Sequence, residues 1–231
     1  HFSTQPPTMY TINFTDKLLA TPLFQGLSKS DINEIVGNTK FSFSKYEAGK
    51  TIVRAESYCN DLMFLLNGSV EVSTDAADHS FTFTEILNAP LQVQPQRMFG
   101  LNQNYTSTYK AYTRCNFMRL SKTEVMKLYT NYEVFRINLI NLFATAIQRY
   151  EHKVWALPGK TLRDRIISFM VVHSIHPAGE KKIKIKMTTL AHELNESRLN
   201  ISIELNKLQD DGLISLSRGM IIVPALELLR Q

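Results

Sequence analysis

The 231-residue sequence predicts an α+β fold in which an N-terminal antiparallel β-roll is joined by one long helix to a C-terminal winged helix-turn-helix. Three stretches predict it. From Phe41 to Ser121, short β-branched and aromatic runs are punctuated by turns about every ten residues, the pattern of an antiparallel roll or sandwich. From about Tyr132 to Trp155 a helical period persists with an unusually wide apolar surface. From Lys182 to Val223 the order is strand, short helix, turn, second helix, hairpin. The expected boundaries are 1–121 for the N-terminal helices and sensing roll, 122–156 for the long helix and connector, and 157–231 for the C-terminal head.

In chain order, the tail with Pro6–Pro7 precedes Met9, and its membership in the native chain is left open. Leu18–Leu19, Leu23–Phe24 and Leu27 predict a helical lead-in. Ser28-x-x-Asp31 ahead of Ile32, Ile35 and Val36 predicts a capped second helix. Strands are expected at Phe41–Phe43, Thr51–Val53, Leu62–Leu66, Gly68–Val72, Phe81–Leu87 and between Thr108 and Leu120, with Gly49 and Asn67–Gly68 at turns. A short helix through Val125–Tyr129 leads to the long one. There Asn138, Asn141, Thr145, Gln148 and His152 step by three and four to make one narrow wet stripe. A helix this apolar needs cover on two sides. The second cover is expected to be the same helix of another copy, with Phe135, Leu139, Leu142, Ala146 and Tyr150 in the contact. A helix sandwiched between two domains of one chain is the alternative.

Leu157-Pro158-Gly159-Lys160 breaks the helix and reads as a hinge. Thr161–Met170 is the first helix of the head, with Arg163 and Arg165 facing solvent or phosphate. Lys182-Ile183-Lys184-Ile185-Lys186 alternates as a half-buried strand whose Lys face stays solvated. Thr188 is the expected N-cap of a short helix carrying Leu190, Ala191 and Leu194. Asn195 suits the left-handed turn, and Ser197 caps the next helix. That helix keeps Leu199, Ile201, Leu205 and Leu208 on or near one side and Arg198, Asn200, Ser202, Glu204 and Asn206 largely outside it. Asp211–Gly212 ends it, and Leu213–Leu216 and Met220–Val223 flank a turn at Ser217-Arg218-Gly219, which makes a wing. Two helices meeting at a tight turn fit a DNA major groove. A winged-helix module that contacts protein is the competing reading.

Ser197–Arg198 at the head of that helix, Leu205-x-x-Leu208 and Gly212-Leu213-Ile214-Ser215 resemble the DNA-binding end of the catabolite activator/fumarate-nitrate regulator (Crp/Fnr) superfamily. Gly49 and Asn67–Gly68 are similar to the roll glycines of its cyclic-nucleotide-binding domains, so the likeness extends over nearly the whole chain. It implies a dimeric, sequence-specific transcriptional regulator that acts on double-stranded DNA with RNA polymerase as a further partner. In two-fold dimers such helices enter successive major grooves about 34 Å apart. Arg198 is the expected base reader, with Asn200, Ser202 and Asn206 beside it. Leu199 and Ile203 stand where the catabolite activator has charged readers, which favours thymine methyls instead. Lys186, Thr188 and Arg218 are expected on phosphates, with Ser197 at the helix start.

The effector pocket departs from the family pattern. Members that bind cyclic AMP use a Gly-Glu pair and an Arg-Ser pair, because a ribose hydroxyl needs an acceptor and a phosphate needs a cation. Here Phe99-Gly100-Leu101-Asn102 puts Leu101 at the acid position. Tyr105 and Thr106 stand at the Arg and Ser positions. Cyclic AMP is therefore not the expected effector. Arg97, Lys110 and Arg114 are cations available to another anion, and a pocket filled by Phe99, Leu101 and Tyr105 is the other possibility. Two cysteines are too few for an iron–sulfur cluster, and His79 is the lone roll His for a haem. No cofactor is identified, no metal is expected, and the effector is left unknown.

Composition is consistent with this picture. Net charge is +5, with 44% apolar residues. Residues 156–231 carry eleven Lys/Arg against eight Asp/Glu, and residues 1–155 carry fifteen against thirteen, so the head is only mildly more basic. Cys59 and Cys115 show no metal spacing, and a reducing cytoplasm is the expected setting. No apolar run approaches the roughly 18 residues of a membrane span. The six His are scattered, and no Ser/His/Asp set or carboxylate pair marks an enzyme.

Overall fold

The computed structural model describes residues 9–157 and 159–230; the Pro6–Pro7 tail and Pro158 of the expected hinge lie outside them. Helix α1 (Met9–Leu19), a 3₁₀ turn (Pro22–Phe24) and α2 (Lys29–Asn38) lead into the roll. Ser28 and Asp31 form the expected capping box, each side chain reaching the other's backbone N–H. The roll comprises β1 (Ser42–Tyr46), β2 (Thr51–Val53), β3 (Asp61–Asn67), β4 (Ser69–Asp75), β5 (Phe81–Asn88), β6 (Leu91–Gln92), β7 (Ser107–Ala111) and β8 (Cys115–Ser121). All pairings are antiparallel. Gly68, between β3 and β4, has φ +93° and would place a Cβ 2.4 Å from the Arg114 carbonyl oxygen, so only glycine fits that turn.

Helices α3 (Lys122–Asn131) and α4 (Glu133–Val154) follow. The start of α4 packs on the roll through Phe135, whose ring lies 5.4 Å from Phe24, itself 6.1 Å from Phe64. Phe135 and Leu139 are 0% and 4% exposed within their own chain. This corrects their assignment to the dimer contact: the first two turns of α4 are consumed by the roll. Asn138 also leaves the expected wet stripe, donating its amide to the carbonyls of Leu23 and Gln25.

The head contains α5 (Leu162–His173), β9 (Lys181–Ile185), α6 (Met187–Glu193), α7 (Arg198–Asp210), β10 (Ser215–Ser217) and β11 (Met220–Val223). Lys186, not Thr188, is the N-cap of α6, and Thr188 sits in its first turn. Asn195 has φ +48° and Gly212 and Gly219 have φ +72° and +71°, where the turns of the helix pair and wing require them.

Two sheets result. One has the order β1-β8-β3-β6; the other runs β10-β11-β9-β5-β4-β7-β2. The second joins roll to head, because β5 and β9 pair antiparallel from Phe81↔Ile185 to Glu85↔Lys181. Phe81 and Phe83 of the roll strand accordingly lie in the head's core with Ile166, Met170, Ile201 and Leu205.

Candidate nucleic-acid interface and effector pocket

Helix α7 has one buried side and one outward side. Ile201, Leu205 and Leu208 are fully buried, at the i, i+4, i+7 spacing that defines an inward stripe. Ser197 caps the helix, its hydroxyl accepting from the Asn200 N–H at 3.1 Å. Arg198, Leu199, Asn200, Ile203 and Asn206 are exposed, and Ser202 is half-buried. Leu199, 68% exposed, and Ile203, 45% exposed, present bare apolar surface on the outward side. Leu199 thus leaves the buried row with which the sequence grouped it.

The Asn200 amide is engaged. It donates to Glu196 at 2.9 Å, while the Arg165 guanidinium holds the other Glu196 oxygen at 2.8 Å and the Leu194 carbonyl at 2.8 Å. Asn200, then Ser197, then Arg165 together hold the Glu196 carboxyl below its ordinary range. Arg165 therefore braces the turn between α6 and α7, and Arg163 pairs with Asp211 at 2.9 Å. Both were expected to face solvent or phosphate. No sequence pattern announces these partners, because they lie 31 and 48 residues away. Arg198 makes no ion pair among the described residues. Lys186, Thr188 and the wing-turn Arg218 are exposed.

The expected pocket residues do not converge. Leu101 points fully into solvent, which corrects its assignment as pocket filler. Gly100 and Thr106 are exposed, Phe99 packs edge-on against Phe143 with ring centroids 6.5 Å apart, and Arg97 reaches the Asn102 carbonyl at 3.5 Å. Tyr105 is 3% exposed in the roll core. Burial pushes its phenol well above the ordinary range, with Cys59 adding to the rise. Of the six residues only Tyr105 lines an open cavity of about 310 Å³ in the roll, alongside Val53, Arg54, Tyr58, Asp61, Met63 and Arg119.

Gln94 escaped sequence reading. It is buried with φ +40°, and its carboxamide oxygen accepts from the Thr106 N–H and hydroxyl at 2.9 and 3.3 Å. Its nitrogen donates to the Ser107 hydroxyl at 2.9 Å. The Thr106 N–H and hydroxyl are thereby satisfied by a neutral side chain of the same chain.

Exposed apolar residues on α4 form a separate stripe: Ile137, Ile140 and Ile147 are 48%, 51% and 58% exposed, and Tyr150 is 59% exposed. Leu142 and Ala146 are half-buried. Ile137, Ile140, Ala144 and Ile147 recur every three or four residues, the spacing of a two-helix seam. Among the described residues no helix is long and apolar enough to cross a membrane.

Residues 43–132 match the family model of the cyclic nucleotide-binding domain. The chain is similar in structure to the catabolite activator protein of Thermus thermophilus, at 18% identity, covering 91% of this chain and 97% of that one with a TM-score of 0.50. A protein of Eubacterium rectale ascribed to the Crp/Fnr regulators is 21% identical, covering 91% and 96% of the two chains with a TM-score of 0.51. The sensor domain of the transcriptional regulator DNR from Pseudomonas aeruginosa is 16% identical, covering 67% of this chain and 100% of that one with a TM-score of 0.52. None of the curated proteins compared with the chain matches it. Residues 43–132 are thus similar to a cyclic nucleotide-binding domain, and the chain as a whole has the fold of the Crp/Fnr transcriptional regulators.

Proposed function

We propose that the chain is a dimeric, sequence-specific DNA-binding regulator of transcription, not an enzyme, whose roll senses something other than cyclic AMP. One observation carries the reading: a capped helix whose inward row is fully buried presents Arg198, Leu199, Ile203 and Asn206 outward. Arg198 reads guanine through its paired donors, Leu199 and Ile203 meet thymine methyls, and Lys186, Thr188 and Arg218 hold phosphates. Asn200, tied to Glu196, keeps the helix start in place instead of reading a base.

The seam Ile137–Ile140–Ala144–Ile147 joins two copies along α4 and sets two α7 helices against a pseudo-palindromic site. RNA polymerase is the expected downstream partner, which puts the protein in the cytoplasm with the DNA. Cyclic AMP is disfavoured because position 101 offers no acceptor, position 105 no cation, and Gln94 already occupies the Thr106 N–H and hydroxyl donors.

The test is binding to duplex DNA across a salt series. A regulator loses affinity log-linearly with salt, by a slope of roughly 0.9 per phosphate contacted. A winged helix that contacts protein shows no such slope, and that result would end the proposal. Calorimetry with cyclic AMP is expected to give no heat of binding.

A further inference from the structure

We propose that the β4–β5 hairpin of the roll is a latch that holds the head in a state of low DNA affinity, with Glu85 as its fastening residue. The proposal rests on the DNA-binding reading above.

Strand β5 serves both cores. On its buried face Phe81 and Phe83 belong to the head's core, Leu87 to the roll's, and Glu85 falls between them. The rings of Phe81 and Phe83 lie 5.3 and 5.8 Å from Phe169 on α5. Glu85 is 2% exposed and faces Lys181, 1% exposed, across the strand pair at 2.9 Å. Its carboxylate also accepts the N–H groups of Ile175 at 2.7 Å and His176 at 3.2 Å, just past the end of α5. Lys153 of α4 grips the same bend, donating to the carbonyls of Val172 and Ser174 at 3.0 and 2.9 Å. The bend after α5 is therefore tied both to the roll, through Glu85, and to α4, through Lys153.

A buried ion pair suits a joint that opens. Two buried charges carry a large desolvation cost, and strand separation returns both to water and recovers it. A joint of apolar residues alone would recover nothing on opening.

The register supplies the sign of the effect. Phe81 lies opposite Ile185, so the hairpin tip, residues 75–80, runs on past the end of β9 toward Lys186 and Thr188. The wing turn is on the same side, since the Ile185 N–H donates to the Gly219 carbonyl at 3.0 Å. The tip carries Asp75 and Asp78, and Asp78 is exposed and held by the Ser80 N–H and hydroxyl. Those Ser80 bonds also keep its carboxyl below its ordinary range. In the docked state the tip that carries these two carboxylates is thus directed toward the end of the head where the cations proposed to meet phosphates lie, and undocking removes it.

The test pairs Thr82→Cys with Lys184→Cys, which face each other across β5 and β9; the natural Cys59 and Cys115 are buried. Comparing the same protein oxidised and reduced cancels the effect of the lost Lys184 charge. The oxidised form is expected to bind duplex DNA about tenfold or more weakly than the reduced form, within the usual range for coupled sites. In the otherwise natural chain, Asp75→Asn with Asp78→Asn is expected to tighten binding at low salt and to lose that gain at high salt. Equal or tighter binding by the oxidised form, no gain from the Asn pair, or failure of the cysteines to crosslink each overturns the latch. DNA binding by the reduced form with no effect of oxidation rejects the latch alone. No DNA binding in either state rejects the regulator reading as well.

Discussion

Ile140 on the exposed stripe of α4 offers a sharp test of how two copies join. The side chain is 51% exposed in the single chain, so about half of a full Ile burial remains to be gained, on the order of 1 kcal/mol. A two-fold seam uses the residue twice, which makes about 2 kcal/mol. Ile140→Asp removes that gain and leaves two carboxylates in an apolar contact. Each unsatisfied buried group costs roughly 1–3 kcal/mol more. The sum is about 4–8 kcal/mol, or roughly 10³- to 10⁶-fold in the dimer dissociation constant. Sedimentation at micromolar concentration is expected to find the variant monomeric with an unchanged circular dichroism spectrum. Phe135→Ala is the contrasting case: with its ring fully buried against the roll, it should cost about 3–5 kcal/mol of fold stability. An Ile140→Asp protein that stays dimeric at the same concentrations would refute the seam.

Three further outcomes are expected. Arg198→Ala should cost about 1–3 kcal/mol at one base position of the preferred site, whereas Lys186→Ala should weaken all sequences alike and lower the salt slope by about one; footprinting over a substituted site library separates the two. Ser197→Ala removes the cap of α7 and should lower head stability by about 1 kcal/mol in urea melts. The Glu196 carboxyl titrates below its ordinary range in the folded chain, so its contribution is present above the unfolded carboxylate range and lost as pH falls through the depressed value. Hydrogen-exchange protection at the start of α7, corrected for the intrinsic rate, should therefore fall as the pH drops below the ordinary carboxylate range, and Glu196→Gln should remove that pH dependence.

Local signals were legible where they act within a turn or two of chain. The Ser28–Asp31 box, the Ser197 cap and the Asn195 and Gly212 turns follow from short-range bonds and backbone preferences, and they stand where the residues place them. The buried row of α7 was also readable, because one face of a helix repeats every three to four residues. Thr188 was misplaced as a cap by one turn's ambiguity, since a Lys with extended backbone begins α6 just before it. Leu101 was misread for a different reason. Its apolar character suggested burial, yet it sits beside Gly100 on an exposed bend.

Periodicity alone thus determined the α+β class, the order of roll, rod and head, and the buried row Ile201, Leu205 and Leu208 of α7, though it grouped the outward Leu199 with them. Tertiary structure alone decided which apolar face of α4 the roll consumes, leaving Ile137, Ile140 and Ile147 uncovered while Phe135 and Leu139 vanish inside. It also decided that Gln94 accepts from Thr106 and donates to Ser107, and that Glu85 meets Lys181 from 96 positions away where the β5–β9 pairing joins roll and head in one sheet. The physical reason is the same in each case. Short-range bonding and residue period are properties of neighbouring residues, whereas the partner of a buried polar or apolar group is chosen by the packing of elements far apart in the chain.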